Sequence, residues 1–156
     1  MTTTPPLFGA EQTDRTRDDY YTPAWVFDEL GLSFDLDVAA PPGGPAHVPC
    51  DRWFTKADDG LSQPWTGRVW MNPPFSRVGI WTERFVEHGN GVALVQASRA
   101  RWFNATWDNP TVAWAALPRA MEFEGGAGHI PFTVFLLAMG AANIAALRRS
   151  DHWSVR

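Results

Sequence analysis

The feature that most constrains this chain is Val69-Trp70-Met71 running directly into Asn72-Pro73-Pro74-Phe75, with a helical pattern immediately behind it. Arg68 to Met71 reads as a compact, buried strand. Two successive prolines can neither continue that strand nor sit inside a helix, because each fixes φ and lacks an N–H. Behind them, Ile80, Trp81 and Phe85 recur at helical spacing over Arg77 to His88, and His88-Gly89-Asn90-Gly91 closes the element. A strand, a rigid turn and a helix in that order belong to an open α/β sheet, in which ligands bind at the carboxyl ends of the strands.

The rest of the chain is consistent with such a sheet. Thr22-Pro23 predicts a helix start, with Thr22 as N-cap, Pro23 at the first helical position and Gly31 as the stop. Ser33 to Ala39 alternates as a strand, with Phe34, Leu36 and Val38 on one face and Asp35 and Asp37 on the other. Pro41-Pro42-Gly43-Gly44-Pro45 ends it in a loop, and from Ala46 to Gly67 only short elements fit among the turn signals. Val92 to Val95 is an uninterrupted apolar run, as in a parallel strand covered on both faces. A helix over Arg101 to Trp107 and a strand over Thr111 to Leu117 follow. Arg119 to Glu124 and Ile130 to Met139 pattern as a hairpin around Gly125 to Gly128. The expected sheet is parallel except near one edge.

With 156 residues, nine Trp and ten Phe, one domain over 20–156 has ample material for a core. Met1 to Asp19 is poor in apolar side chains and is expected to form a mobile arm, residues 1–19. The lone Cys50 cannot form an internal disulfide, and no secretory pattern opens the chain, so a reducing cytoplasm is the expected compartment. The apolar stretch from Ile130 to Leu147 is interrupted by Pro131, Thr133, Gly140 and Asn143; it reads as strand then helix rather than a membrane span. His47, His88, His129 and His152 lack metal-ligand spacing, so no metal is expected.

A net charge of -4 disfavours broad electrostatic coating of nucleic acid but leaves room for local patches. Twelve of the thirteen basic residues are Arg, which suits bidentate phosphate or base contacts, although genomic composition bias explains the excess equally well.

The turn Asn72-Pro73-Pro74-Phe75 carries a definite chemistry. The lone pair of an amino group on a planar heterocycle is delocalised into the ring, so the nitrogen is a poor nucleophile. Two hydrogen-bond acceptors that hold its N–H bonds out of plane restore it; the Asn72 side-chain oxygen and the Pro73 carbonyl are placed to be those acceptors. The prolines pre-organise them, and Phe75 would stack on the base. For an adenine amino group accepting a methyl group, the base must be flipped out or single-stranded. The plain alternative is a turn after a strand.

A methyl donor such as S-adenosylmethionine needs a carboxylate for its ammonium group and polar partners for its ribose and adenine. Asp37, near the end of the first strand, is the natural carboxylate, with Ala39-Ala40 allowing close approach and Asp35 as competitor. A solvated strand face is the bland reading of either. The usual glycine-rich turn is replaced by Pro41-Pro42-Gly43-Gly44. Asp58 or Asp59, ahead of Gly60, would accept from the ribose or adenine, and Tyr21-Thr22-Pro23 would close over the cosubstrate; turn-making and capping explain the same residues.

Several stretches together resemble the bacteriophage-type (Dam-like) DNA N-6-adenine methyltransferases. They are Asp19 to Pro23, Phe34 to Ala40, Trp53-Phe54-Thr55, Asp58 to Leu61 with Trp65, and Arg68 to Ser76, with weaker similarity through Arg99, Trp102-Phe103, Arg119 and Phe123. The resemblance implies a Rossmann-like methyltransferase fold, S-adenosylmethionine as cosubstrate and adenine in DNA as acceptor, in a bacterial host cytoplasm. By motif it makes Asn72, Pro73 and Phe75 catalytic, with Pro74 completing the catalytic tetrapeptide, and Thr22, Asp37 and Asp59 cosubstrate contacts. Phe75 stands where Tyr is frequent, which keeps stacking and loses a hydroxyl.

Arg99, Arg101 and Trp102 follow the strand at Val92 to Val95 and could lie beside the catalytic turn to hold phosphates and an unstacked base, with Arg77 and Arg84 as lesser candidates. The competing reading packs Trp102 and Phe103 into the core. Little chain remains for a separate recognition domain, so selectivity would come from Asn104 to Pro110, from Gly125 to His129, or from homodimerisation. RNA or protein-amide methylation, and an inactive binding module, are the competing functions.

Overall fold

The structure is a computed structural model that describes residues 21–118 and 133–156. The expected N-terminal arm, and the first strand and turn of the expected C-terminal hairpin, lie outside the described residues.

Among the described residues five strands form one mixed sheet in the order β1-β2-β3-β5-β4: β1 (Leu36–Asp37), β2 (Val69–Met71), β3 (Gly91–Gln96), β4 (Ala113–Ala116) and β5 (Val134–Met139). β1, β2 and β3 pair in parallel, with Asp37 opposite Trp70 and Met71 opposite Ala93. β5 is antiparallel to both β3 and β4. The reversed strand therefore lies inside the sheet, and β4 runs in the same direction as β3 at its edge. That edge is itself covered: Trp114 and Arg156 exchange backbone hydrogen bonds of 2.8 and 2.9 Å, so the last residues satisfy groups that an open edge would expose.

Among the described residues four α-helices cover the two faces: α1 (Ala24–Leu30), α2 (Val78–His88), α3 (Arg101–Trp107) and α4 (Ala141–Arg148). On one face, Val26, Phe27 and Leu30 of α1 and Leu147 of α4 pack with Trp70, Val92, Leu94 and Leu136. On the other, Trp81 and Phe85 of α2 and the aromatic side chains of α3 pack with Val69, Met71, Ala93, Val95 and Leu137. Successive strand residues thus feed opposite clusters, as the pleat requires. The apolar stretch to Leu147 divides into β5 and α4, as its interruptions predict. Among the described residues no helix is long and apolar enough to cross a membrane.

One expectation is corrected. Phe34, Leu36 and Val38 do not share a face: Phe34 joins the α1 cluster, whereas Leu36 and Val38 join the α2 cluster. The chain bends at Asp35, whose N–H bonds to the Arg68 carbonyl while its carboxylate accepts from the Arg68 N–H. The regular strand is consequently short, and Asp37 faces the α1 side.

As expected, residues 46–67, which follow β1, hold only short elements; within them residues 49–54 run in parallel beside β1 through isolated bridges. Phe34, Asp37 and Ala40 donate to the carbonyls of Pro49, Arg52 and Phe54, and Phe54 donates back to Asp37. At the amino ends of the strands a polar network ties the sheet to α4. Arg68 Nε donates to Asn143 Oδ1 at 2.6 Å, and Asn143 Nδ2 donates to Asn90 Oδ1 and the Met139 carbonyl. Nothing in that network approaches the opposite end of the sheet, where the candidate site lies.

Candidate active site

Parallel pairing brings the carboxyl ends of β1, β2 and β3 to one side of the sheet, and with them Asp37, Asn72 and the loop from Ala97 to Ala100. The sequence places Asn72 one residue past β2. The turn Asn72-Pro73-Pro74 passes into a 3-10 turn over Phe75–Arg77 and then α2, because Pro74 is held at φ -58 and its carbonyl accepts from the Arg77 N–H at 3.0 Å. Pro73 and Phe75 are buried, and the Phe75 ring belongs to the α1-side core.

Asn72 is reached from the start of the domain. Its Nδ2 donates to Thr22 Oγ1 at 3.3 Å, across fifty positions of sequence. This corrects the expected capping role of Thr22. α1 begins at Ala24, Pro23 occupies the N-cap position at φ -68 and ψ 152, and no side chain caps the helix. With Pro23 one position earlier than expected, the buried Thr22 hydroxyl is directed to Asn72 instead. Tyr21 is half-buried just ahead of it.

Asp37 is 2 % exposed, and its carboxyl is pushed up to about 7 by burial; the N–H of Ala39, donating to Oδ1 at 3.1 Å, opposes the shift. Among the described residues no cation contributes to that balance. A buried carboxylate whose charge is this poorly offset is the kind of group that a bound cation would stabilise. Asp35 has no such character. It is exposed and engaged with Arg68 on the amino-end side of β1. The neighbouring Cys50 thiol is pushed up to about 11, first by burial and then by the charge of Asp37, which favours the protonated thiol at neutral pH.

Asp58 and Asp59 also separate. Asp58 Oδ2 accepts from the Thr55 N–H and hydroxyl at 2.8 and 3.1 Å, closing a capping box on a 3-10 turn. Asp59 is exposed and sits at φ 53, the one left-handed residue other than glycine among those described. Gly60 follows, pressed so tightly on the Val38 carbonyl that no side chain could be added there. Trp65 secures it, donating Nε1 to the Gly60 carbonyl at 2.8 Å and stacking on Trp81 of α2 at 6.2 Å. The Asp59-Gly60 loop is thereby held against the end of β1, beside Ala39.

Arg77, Arg99 and Arg101 are exposed, the last two beside the end of β3. Trp102 is half-buried against Gly79 of α2, and Phe103 stacks with Trp107 at the edge of an aromatic group that includes Trp114 and Phe135. Arg84, the other lesser candidate, lies over the Trp65 ring at 4.6 Å. Among the described residues no three His, Cys, Asp or Glu side chains are grouped to hold a metal ion.

The model of one protein family, "DNA N-6-adenine-methyltransferase (Dam)", matches residues 9–134. The chain belongs to that family. A protein described as "DNA N-6-adenine-methyltransferase", from Escherichia phage T1, is 25% identical over 129 residues, covering 75% of this chain and 52% of that protein. The chain thus spans about half the length of the curated relative it matches. The family match includes Asp37, Asp59 and the whole Asn72-Pro73-Pro74-Phe75 turn, the three features that meet at the carboxyl ends of β1 and β2.

Proposed function

We propose that this protein transfers a methyl group from S-adenosylmethionine to the N6 amino group of adenine in DNA. The observation that carries the reading is the convergence of the buried Asp37, whose carboxyl is pushed up by burial, with an Asn-Pro-Pro turn at one end of the sheet, in a chain of the Dam family. The finer fold assignment, a Rossmann-like methyltransferase, is supported by the parallel β1-β2-β3 set followed by one reversed strand.

The residues fit the cosubstrate. Asp37 would receive the ammonium group, which offsets the charge that burial leaves uncompensated. Ala39 and the closely packed Gly60 would admit the chain to the end of β1, Asp59 would accept from ribose or adenine hydrogen-bond donors, and Tyr21, Thr22 and Pro23 would close the pocket from α1. Asp58 supports that loop through its capping box. When bound, S-adenosylmethionine supplies an electrophilic methyl carbon on a sulfonium.

Asn72 Oδ1 and the Pro73 carbonyl take the two N–H bonds of the target amino group and hold its lone pair away from ring conjugation. As positive charge develops on N6, the same two dipoles stabilise it without reorganising, because Pro73 and Pro74 fix the backbone that carries them. No dedicated base is required; the surplus proton leaves to solvent once the nitrogen is alkylated. Phe75 would offer a ring edge or face to the flipped base from the core side of the turn. Arg77, Arg99 and Arg101 would bind phosphates, and Trp102 would border the base.

Methyl transfer from radiolabelled cosubstrate to DNA, RNA and protein in parallel tests the acceptor class. Label in DNA alone is expected; label confined to RNA or protein, or to none of the three, contradicts the reading.

A further inference from the structure

Thr22 belongs to a different end of the chain from the Asn-Pro-Pro turn, yet its hydroxyl is buried and accepts a hydrogen bond from Asn72 Nδ2. We infer that Thr22 is a positioning residue that sets which way round the Asn72 amide faces, and that filling the cosubstrate pocket locks that orientation. The inference rests on the proposed adenine chemistry.

A side-chain amide has two ends of nearly equal size and opposite polarity. Only one orientation serves: Oδ1 toward the target amino group. The reverse would set an NH2 donor against another NH2 donor, losing an acceptor and leaving two buried donors opposed. With Nδ2 committed to Thr22, Oδ1 is turned to the opposite end of the planar amide group. The backbone holding Thr22 is rigid: Pro23 follows at φ -68 and its carbonyl accepts from the Val26 N–H at 3.2 Å, anchoring the turn to α1.

A hydroxyl can accept from Nδ2 only while its own proton points elsewhere. An acceptor group of a cosubstrate bound beside the start of α1 would take that proton and fix the hydroxyl as an acceptor toward Asn72. Cosubstrate occupancy would then be transmitted to the catalytic amide through one oxygen atom, favouring capture of the adenine after the cosubstrate.

The test compares wild type, Thr22→Ser, Thr22→Val, Asn72→Asp and the double variant Asn72→Asp with Thr22→Val, each assayed for kcat at saturating cosubstrate and DNA. A carboxylate at position 72 presents oxygen whichever way it turns, so it has no orientation to lose. Thr22→Val is expected to lower kcat by about 10- to 100-fold in the Asn72 background, the scale of one mispositioned transition-state hydrogen-bonding group. Thr22→Ser should restore it to within about threefold, and Thr22→Val on Asn72→Asp should cost less than about threefold.

Equal losses in both backgrounds, or a change in cosubstrate affinity with kcat intact, overturn the inference while leaving the proposed function standing. Should wild type transfer no methyl to adenine, that function fails, and the side-chain amide resonances of Asn72 decide the inference by themselves. Slow hydrogen exchange at Nδ2 in wild type and Thr22→Ser, further slowed by cosubstrate and lost in Thr22→Val, supports it; identical exchange in all three contradicts it.

Discussion

Gly60 rests directly on the carbonyl oxygen of Val38: a Cβ built at position 60 would lie well inside van der Waals contact of that oxygen and close to the Trp81 ring. The contact lets the Asp59 loop reach the end of β1. Gly60→Ala must therefore push this loop outward or strain it, at a stability cost of about 1–3 kcal/mol typical of overpacking. Cosubstrate affinity, measured by calorimetry, is expected to fall at least tenfold. An unchanged dissociation constant would remove the loop from the pocket.

Asp37 sets a pH dependence whose sign is fixed by its burial. Its folded pKa of about 7 lies above the ordinary 3.8, so the folded protein holds this proton more tightly than the unfolded chain does. The stabilisation from holding it is complete below about pH 4 and is lost as pH rises through about 7. Asp37→Asn is accordingly expected to melt higher than wild type at pH 8, with the gap closing toward pH 5. Under the proposed function cosubstrate binding should run the other way, because an ammonium group held by Asp37 would require the ionised carboxylate. Wild-type affinity should weaken about tenfold per pH unit below pH 7, and Asp37→Asn should bind weakly with that slope gone. Parallel melting and binding series from pH 5 to 8 check both signs.

Arg99 and Arg101 are exposed next to the end of β3. If each neutralises a phosphate, replacing both by Ala should lower the steepness of log K against log salt by about 1 per arginine. Cosubstrate affinity should stay put. A salt slope identical to wild type would assign DNA contact to other residues.

Asn143 offers the matching control. It is buried, bonded to Arg68, Asn90 and the Met139 carbonyl, and lies at the amino ends of β2 and β3, away from Asn72. Asn143→Ala leaves these partners unsatisfied and should cost about 1–3 kcal/mol in urea denaturation, with kcat of the folded enzyme within twofold of wild type. A large loss of kcat at full folding would mean that the two ends of the sheet are coupled.

Local chemistry made much of this legible from sequence. The strand at Val69 to Met71, the apolar run at Val92 to Val95 and the helix at Arg101 to Trp107 each have a self-sufficient pattern, and each appears where its pattern put it. Relations between distant segments were not legible. The strand-like run at residues 49–54 has its alternation broken by Asp51 and Arg52, and only the β1 backbone beside it gives it structure. The place of β5 between β3 and β4 depends on pairing that no local pattern encodes. At the site, Thr22-Pro23 satisfied a capping rule so well that the competing use of its hydroxyl by Asn72, fifty residues on, left no trace in the sequence. The differences in burial and in existing partners that separate Asp35 from Asp37, and Asp58 from Asp59, likewise left no trace in the sequence.

The central claim is that two fixed oxygens at the end of β2 activate an adenine amino group. Nucleoside mass spectrometry of unmethylated DNA after incubation with S-adenosylmethionine and either wild type or Asn72→Ala tests it most directly. The account predicts N6-methyladenosine-type deoxynucleoside from wild type, and a rate at least about 100-fold lower from Asn72→Ala with cosubstrate binding retained. Methylation at any other atom, or near-normal turnover by Asn72→Ala, would contradict it.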